Sequence, residues 1–270
     1  MRIPVPAALA ERAAAARGEP APVRDAATIA LLRPGTRGTE TYLLRRQSTM
    51  AFAPGQYVFP GGGVQSSDAD DIAWVGPEPA LWGVRFGCDA TTAKALVVAA
   101  VRETFEESGI LLAGPDAETV VVDTAEEWAR TARLDLEAGR TSLAELFASR
   151  GLVLRADLLG AWAHWITPTF EPRRYDTRFL VAAVPQGQRV GSLPGEADRA
   201  TWAPLSDVLT AVDAGEAAML PPTWVTCREL AEVEVDDVLE VAAQRRIVPI
   251  EPQLVEIDGE LFLHNPIDEE

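Results

Sequence analysis

Three glutamates are spaced so that their carboxylates could act together at one site. Glu103, Glu106 and Glu107 lie in a stretch, 91–108, that contains no proline or glycine. On a helix, residues at i, i+3 and i+4 share one face, so this spacing gathers three carboxylates. Like charges so close repel one another and favour a compensating cation, and clustered oxygen ligands on a rigid helix suit Mg²⁺ or Mn²⁺. The alternative is a solvated acidic helix face in a chain with 41 Asp and Glu residues.

The sequence around the glutamates and a glycine-rich turn upstream resemble a known family. Residues 102–110, RETFEESGI, resemble the second half of the Nudix box, whose pattern is G-x5-E-x7-R-E-U-x-E-E-x-G-U with U a bulky apolar residue. Residues 59–62, FPGG, resemble the turn that opens the box, with Gly62 as its glycine. The stretches 43–48 and 55–62 are similar to those that precede the box in coenzyme A diphosphatases of this superfamily.

The box is interrupted. Gly62 lies 40 positions before Arg102, far more than the pattern allows, so the box contains an insertion. Counted forward from Gly62, the first acidic position of the box holds Asp68; counted back from Arg102, it holds Lys94. Thr104 stands where the pattern has a bulky apolar residue. This arrangement resembles the branch of coenzyme A diphosphatases with an insertion inside the box.

The resemblance implies a metal-dependent hydrolase that cleaves a nucleoside diphosphate linked to another moiety, with Mg²⁺ or Mn²⁺ as cofactor. Coenzyme A or an acyl-CoA is the favoured substrate, and ADP-ribose, a nucleotide sugar or NADH are the alternatives. An alternative of another class is a non-catalytic Nudix-fold regulator that senses a nucleotide. Three mutually repelling acids disfavour a sensor, which has no need of them.

The resemblance also assigns the site. Glu106 and Glu107 are the expected metal ligands, Glu103 is a ligand or a base, and Arg102 is their neighbour in the catalytic set. The Gly62 carbonyl is expected to complete the metal coordination, since a glycine turn lets the backbone approach an ion closely.

Groups outside the helix complete the expected site. A further carboxylate is usual in this superfamily; Glu196 is the candidate and Glu171 the runner-up, with an ordinary loop acid as the alternative for each. A planar guanidinium pairs bidentately with phosphate oxygens, and the alternative for any one arginine is a surface salt bridge. The candidates for binding substrate phosphates are Arg45, Arg46, Arg173, Arg174 and Arg178.

Composition limits the partners. A formal charge of −17 over 270 residues argues against unspecific binding to nucleic acid or to an anionic membrane, because both require a positive surface. The expected partner is a small-molecule nucleotide diphosphate, and a homodimer is also considered. Two cysteines are too few for a disulfide scaffold or a thiolate zinc site. No apolar run reaches about 18 residues, so we expect a cytoplasmic protein.

Apolar periodicity and turn residues predict the elements that position these groups. The carboxylates lie on a helix over 91–108 that begins after Asp89 and ends at Gly109. The helix at 142–149 begins with the capping-box pattern Ser142-x-x-Glu145. Strands are predicted at 26–32, 41–46, 57–59, 158–166, 178–184 and 200–202. Further helices are predicted at 125–138, at 204–214 and, as a pair, within 221–246.

These elements predict an α/β (α+β) fold, a Nudix-like α/β/α sandwich around a mixed sheet. We expect an N-terminal arm at 1–24 and a Nudix hydrolase domain at 25–214, which carries the inserted loop at about 64–89. A helical C-terminal extension at 215–270 is expected to pack on the same domain.

Two groups of large apolar residues carry further expectations. Trp74, Trp82 and Phe86 lie in the insertion and need burial. Because the insertion leaves and returns near the site, we expect it on the substrate side, as a lid, or at a protomer interface. In the strand at 158–166, alternation places Trp162 and Trp165 on opposite faces.

Overall fold

The computed structural model describes residues 2–4, 13, 18–47, 53–124, 126–191, 197–257 and 260–264. The described strands are β1 (Arg2–Pro4), β2 (Val23–Gly35), β3 (Gly38–Arg46), β4 (Tyr57–Val58), β5 (Gly61–Gly63), β6 (Trp74–Val75), β7 (Ala113–Gly114), β8 (Val153–Arg155), β9 (Gly160–Ile166), β10 (Arg174–Ala183), β11 (Ala197–Pro204), β12 (Pro249–Ile250), β13 (Gln253–Ile257) and β14 (Glu260–His264). The described helices are α1 (Pro79–Phe86), α2 (Ala90–Ser108), α3 (Glu127–Glu137), α4 (Leu143–Arg150), α5 (Leu205–Asp213), α6 (Pro221–Leu230) and α7 (Val238–Gln244). None of these helices combines the length and the hydrophobicity that crossing a membrane requires.

A mixed eight-stranded sheet runs through the centre in the order β11-β3-β2-β10-β9-β12, with β4 paired to β3 and β5 paired to β2. β2 and β10 pair in parallel, whereas β3 pairs antiparallel with β2 and with β11. β2 pairs with β3 from Leu32 onward and with β5 at Ala26–Thr28. The glycine turn therefore occupies the gap that opens where β3 leaves β2.

Alternation along β2 divides the apolar core between the two faces of the sheet. Ile29 and Leu31 lie in a core cluster with α2, α3 and α4, whereas Ala30 and Leu32 lie in a cluster with α5, α6 and α7. Helices thus cover both faces, which confirms the predicted α/β/α sandwich around a mixed sheet.

α2 is the helix predicted for the carboxylates. The Asp89 side chain accepts a hydrogen bond from the Thr92 N–H at 2.9 Å, and Gly109 ends the helix with a φ of 78°, which favours glycine. Ser142 and Glu145 form the predicted capping box of α4. The other predicted helices and strands up to 214 are present, with ends shifted by a few residues.

The inserted segment is a folded part of the body, in agreement with the expectation that its large apolar residues need burial. It contains a 3₁₀ turn at Ser66–Ala69, then β6 and α1. Trp82 and Phe86 are buried in the core cluster of α2, with ring centroids 5.3 Å apart. Arg85 donates to main-chain carbonyls at the end of α7, and Arg178 donates to the Phe86 carbonyl. These contacts fasten both faces of α1 to the fold.

The C-terminal third is only partly helical. α6 and α7 are the two helices predicted within 221–246, but the prediction of a helical extension needs correction at 249–250, 253–257 and 260–264, which form strands. β12 pairs with β9 at the edge of the main sheet. β14 pairs with β13 and also with β1, so the N-terminal arm contributes a strand. These short strands receive their hydrogen bonds from partners distant in sequence.

β9 carries a bulge that corrects the expected faces of its tryptophans. The register of its pairing with β10 shifts at Trp162, which has no pairing partner of its own. One extra residue reverses the alternation of side chains. Trp162 and Trp165 therefore lie in the same core cluster, on the side of α5, α6 and α7.

We expect Trp82→Ala to lower the free energy of unfolding by about 3–5 kcal/mol, because it removes a buried ring from the core. Leu81→Ala is the matched control, since Leu81 lies on the same helix but is 58% exposed. Its effect should stay within about 0.5 kcal/mol. Urea unfolding measures both, and equal losses in the two variants would contradict a core role for the insertion.

Candidate active site

The three glutamates line a cavity of about 530 Å³. The glycine turn, Gly61–Gly63, forms the adjacent wall. The remaining lining comes from β9, β10 and the loop between them, from the start of α6, and from Pro252 and Leu263. This volume is typical of pockets that bind organic ligands. Of the insertion at about 64–89, only Gln65 lines the cavity, so the main part of the insertion does not lie on the expected substrate side.

Glycine lets the turn approach α2 closely. The Gly61 N–H donates to Glu107 Oε2 at 2.8 Å. A Cβ added to Gly62 would lie 2.3 Å from Glu103 Oε1, so any side chain there would displace that carboxylate. On the opposite side, a Cβ on Gly61 would lie 2.6 Å from the Ala27 carbonyl oxygen. The glycines are therefore required by close approach between β2, the turn and the carboxylates.

Arg102 is a buried counterion for the carboxylates, with a side chain that is 2% exposed. Its Nη1 donates to Glu103 Oε1 at 2.8 Å and to Glu106 Oε1 at 3.2 Å. Its Nη2 donates to the Gly63 carbonyl at 3.0 Å, and Nε and Nη2 together bind both carboxylate oxygens of Asp68. Arg102 does not line the cavity. Its place is behind the glutamates, where it orients them, and not among the groups facing a ligand.

Asp68 resolves the choice that the interrupted box left open. Its side chain is 1% exposed, lies 2.8 Å from Arg102 Nε, and also accepts from the Gln65 N–H at 2.8 Å. Lys94, the rival position, instead pairs with exposed Asp71 at 3.3 Å. Of the two positions, the one found by counting forward from the glycine is therefore the one that contacts Arg102, and the main part of the insertion follows it.

Three acids surround Arg102, and burial and repulsion disfavour the charged form of one of them, Glu106. Burial, and next the charge of Glu103, raise the pKa of Glu106 from 4.5 to about 7, while Arg102 opposes both. For Arg102, burial acts to lower the pKa, but the hydrogen bond to Asp68 and the charge of Glu103 outweigh burial and raise it. The internal cation is thus fully charged and still does not neutralise the acids around it.

The end of α2 that carries the glutamates is held by α3. Arg133 Nε and Nη2 donate to the Glu106 carbonyl at 3.1 and 2.7 Å. A Cβ added to Gly191 would lie 2.2 Å from Arg133 Nη1, so the guanidinium packs directly against that glycine. A cation at a helix C-terminus is favoured by the helix dipole. Sequence reasoning missed Arg133, because only the tertiary structure brings α3 to this end of α2.

Of the five arginines expected to bind phosphate, only Arg46 lines the cavity. Arg45, the next residue along β3, pairs with Asp198 of β11 at 2.7 Å. Arg173 is exposed and lies outside the cavity lining. Neighbouring side chains on a strand face opposite ways, which explains why Arg45 and Arg46 separate.

Arg174 and Arg178 are directed away from the cavity by the pleat of β10. Arg174 pairs with Glu251 at 2.5 Å, and Arg178 pairs with Asp176. The cavity is lined instead by residues of the opposite parity, Tyr175, Thr177 and Phe179. The arginines are therefore structural ion pairs at this sheet, the alternative considered for each of them.

Two acids outside α2 reach the cavity. Glu171, the runner-up, lies in the loop between β9 and β10 and lines the cavity. Glu137, at the end of α3, also lines it and was not predicted, since no local motif marks it. Glu196, the first candidate, lies outside the described residues.

The donor set fits a hard divalent cation. The described residues hold no group of three His, Cys, Asp or Glu side chains arranged as a ready-made metal site. Carboxylate oxygens nevertheless gather on one helix face, and the glycine turn leaves no room for a Cβ beside Glu103. Burial, and next the charge of Glu103, raise the pKa of Glu106. Oxygen ligands and uncompensated charge are what Mg²⁺ or Mn²⁺ requires.

The fold and the box residues are together those of the Nudix class of hydrolases. A family model described as the NUDT19 Nudix domain matches residues 90–230, just over half of the chain. The chain therefore belongs to the NUDT19 Nudix domain family of Nudix hydrolases, enzymes that cleave diphosphate bonds and generally use divalent metal ions.

Individual relatives agree with this assignment. Putative nudix hydrolase 7 of Caenorhabditis elegans is 28% identical over 246 residues, which are 90% of this chain and 72% of that protein. Acyl-coenzyme A diphosphatase NUDT19 of Xenopus laevis is 27% identical over 184 residues, 55% of this chain and 48% of that protein. The chain thus aligns with about half the length of this relative. A Nudix hydrolase from Alicyclobacillus acidocaldarius has a similar structure, with a TM-score of 0.66 and 28% identity over 81% of this chain and 96% of that one.

We expect Asp68→Asn to lower the free energy of unfolding by about 3–5 kcal/mol, because it removes a charge partner from buried Arg102. The turnover rate should fall as well, since Arg102 orients Glu103 and Glu106. Lys94→Ala, at the rival box position, should change neither quantity measurably. Chemical denaturation and a rate assay compare the two variants; a stable, fully active Asp68→Asn would contradict the role given to Asp68.

The raised pKa of Glu106 predicts a pH-dependent stability in the absence of metal. Between about 4.5, the pKa of an unperturbed glutamate, and about 7, the folded state binds more protons than the unfolded state. The free energy of unfolding should therefore fall as the pH rises through this window, by on the order of 2–3 kcal/mol.

Urea unfolding in a chelator at pH 5 and at pH 7.5 measures this loss. In Glu106→Gln the loss should shrink, because that side chain no longer titrates. Identical pH profiles for the parent and the variant would show that Glu106 is not responsible.

Proposed function

We propose that the protein is a metal-dependent diphosphatase that hydrolyses a nucleoside diphosphate linked to another moiety, with coenzyme A or an acyl-CoA as the favoured substrate. One observation supports this most. The cavity is lined by five glutamates, and Arg46 is the single cationic side chain among the described lining residues. A diphosphate cannot be held there by the protein's own charges, so a divalent cation must join it to the acids.

Glu103, Glu106 and Glu107 would hold the ion, with the Gly62 carbonyl as a further oxygen donor. When bound, Mg²⁺ or Mn²⁺ supplies charge neutralisation for the diphosphate oxygens and lowers the pKa of bound water.

The chain's own residues orient the ligands. Arg102 fixes Glu103 and Glu106 through hydrogen bonds from Nη1, and the Gly61 N–H fixes one oxygen of Glu107. Arg133 holds the backbone at Glu106. Glu103 would be a ligand or the base that takes a proton from the attacking water, and Arg46, which lines the cavity, would contact phosphate oxygens. Because these groups are set before substrate arrives, little reorganisation is needed at the reacting atoms.

Coenzyme A and acyl-CoA are favoured for two reasons. The NUDT19 relative carries the name acyl-coenzyme A diphosphatase. Apart from the five glutamates and Arg46, the described cavity lining consists of uncharged and largely apolar residues, among them Phe59, Ile166 and Leu220, which suit an organic arm. ADP-ribose, nucleotide sugars and NADH remain the alternative substrates.

A hydrolysis screen over these diphosphates, with Mg²⁺, with Mn²⁺ and with EDTA, tests the proposal. Activity should require the divalent ion, and products should show cleavage within the diphosphate. Binding of a nucleotide without any turnover would instead support the nucleotide-sensing regulator.

We expect Glu106→Gln and Glu107→Gln each to lower kcat by about 100-fold or more while the protein stays folded, because charge stabilisation at the metal is lost. Glu127→Gln is the control, since Glu127 is exposed on α3 and pairs only with Arg130 among its described partners. Near-parental turnover in both glutamine variants at saturating metal would refute the mechanism.

A further inference from the structure

One arginine behind the cavity wall joins three parts of the chain. Arg174, the first residue of β10, has a side chain that is 10% exposed. Its Nε donates to the Thr167 carbonyl at 3.0 Å, its Nη1 to the Ala21 carbonyl at 3.0 Å, and its Nη2 to the Glu251 carboxylate at 2.5 Å. Arg174 itself is absent from the cavity lining. Any influence that it has on a bound ligand must therefore pass through the segments that it holds.

The first contact fixes the base of the loop between β9 and β10, residues 167–173. The Thr167 N–H donates to the Tyr175 carbonyl at 2.9 Å, and the Tyr175 N–H donates to Thr167 Oγ1 at 3.0 Å. Within the loop, the Glu171 N–H donates to the Pro168 carbonyl at 3.1 Å. All four of these residues line the cavity. The arginine thus anchors a loop that is itself a wall of the cavity.

The other two contacts tie this loop to neighbouring walls. Glu251 directly precedes Pro252, which is buried and lines the cavity. Ala21 lies just before β2, which lines the cavity at its residues 26–28. Each nitrogen of the guanidinium bonds a different segment, and the planar group fixes their relative directions. A lysine at this position has a single nitrogen and could not hold all three.

The carboxylates of α2 are held by other groups. None of the three partners of the Arg174 side chain belongs to α2. Glu103 and Glu106 are oriented by Arg102, and Arg133 donates to the Glu106 carbonyl. Loss of the Arg174 contacts should therefore displace the walls of the cavity and leave the expected metal ligands in place.

We propose that Arg174 is a positioning residue for substrate binding, which holds the β9–β10 loop and Pro252 in the arrangement that the organic part of the substrate contacts. This rests on the proposed function, in which the metal and the glutamates of α2 hold the diphosphate. The walls joined by Arg174 offer uncharged side chains to an organic arm. They also offer one carboxylate, Glu171, which can accept a hydrogen bond from a hydroxyl or an amide N–H.

Arg174→Lys provides the test, because it keeps the positive charge and removes two of the three nitrogens. KM for the diphosphate that the parent hydrolyses best should rise about two- to tenfold with kcat unchanged, since contacts to the substrate weaken while the reacting groups stay in place. The Kd for Mn²⁺, measured by calorimetry without substrate, should equal that of the parent.

Arg155→Lys is the matched control for a purely structural effect. The Arg155 side chain is 7% exposed, pairs with Asp157 at 2.7 Å and donates to the Thr119 carbonyl at 2.8 Å, but it lies outside the cavity lining. Urea unfolding should show a loss of stability in both variants, whereas KM should rise in Arg174→Lys alone. Equal KM values in the two variants, or a fall in kcat without a rise in KM, would refute the positioning role.

The role of Arg174 can be decided separately from the proposed function. If the parent hydrolyses no diphosphate, the proposed function fails, and calorimetric binding of coenzyme A and of ADP-ribose decides instead. Weaker binding of either compound to Arg174→Lys than to Arg155→Lys supports the positioning role, and equal binding, or no binding to the parent, refutes it. Should Arg174→Lys not fold, Glu251→Gln weakens the same anchor from outside the cavity lining; a raised KM then supports the role, and a parental KM refutes it.

Discussion

The burial of one guanidinium group determines how the site is held together. A charge removed from water needs hydrogen-bonded partners around it, and Arg102 receives them from three parts of the chain. Asp68 comes from the turn that opens the insertion, the Gly63 carbonyl from the glycine turn, and the carboxylates of Glu103 and Glu106 from the helix itself. Each part is thereby fixed relative to the other two. Order among the acids that face the cavity depends on a cation that does not face it.

Features encoded locally could be predicted from the sequence. The limits of α2 follow from the Asp89 cap and from Gly109, and the start of α4 follows from Ser142 and Glu145, all within a few residues of chain. The meeting of the glycine turn with the glutamates could be predicted as well, but only through the resemblance to a family. No periodicity in the sequence links residues 40 positions apart.

The rest depends on pairings between distant strands. Whether an arginine on β10 faces the cavity is decided by the register of a parallel pair with β2, so Arg174 and Arg178 could not be placed beforehand. A single bulged residue in β9 places Trp162 on the same face as Trp165. No residue type in this strand predicts the bulge. β12 joins the main sheet and β13 and β14 pair with each other, so their hydrogen bonds come only from other strands. Whether such short strands form is therefore decided by the strands with which they pair, and not by their own sequence.

The position of the insertion has a consequence for comparing this chain with others. Asp68 precedes β6 and α1 and already completes the contact with Arg102, so the segment between residue 69 and Asp89 supplies none of the described hydrogen-bond partners of Arg102. In an alignment of relatives, the gap therefore belongs after Asp68. A gap placed before Asp68 would align Lys94 with the acidic residue of the box, and the box would then wrongly appear to lack that acid. The family match at residues 90–230 begins with α2 and therefore leaves out the glycine turn and Asp68, which have to be aligned separately.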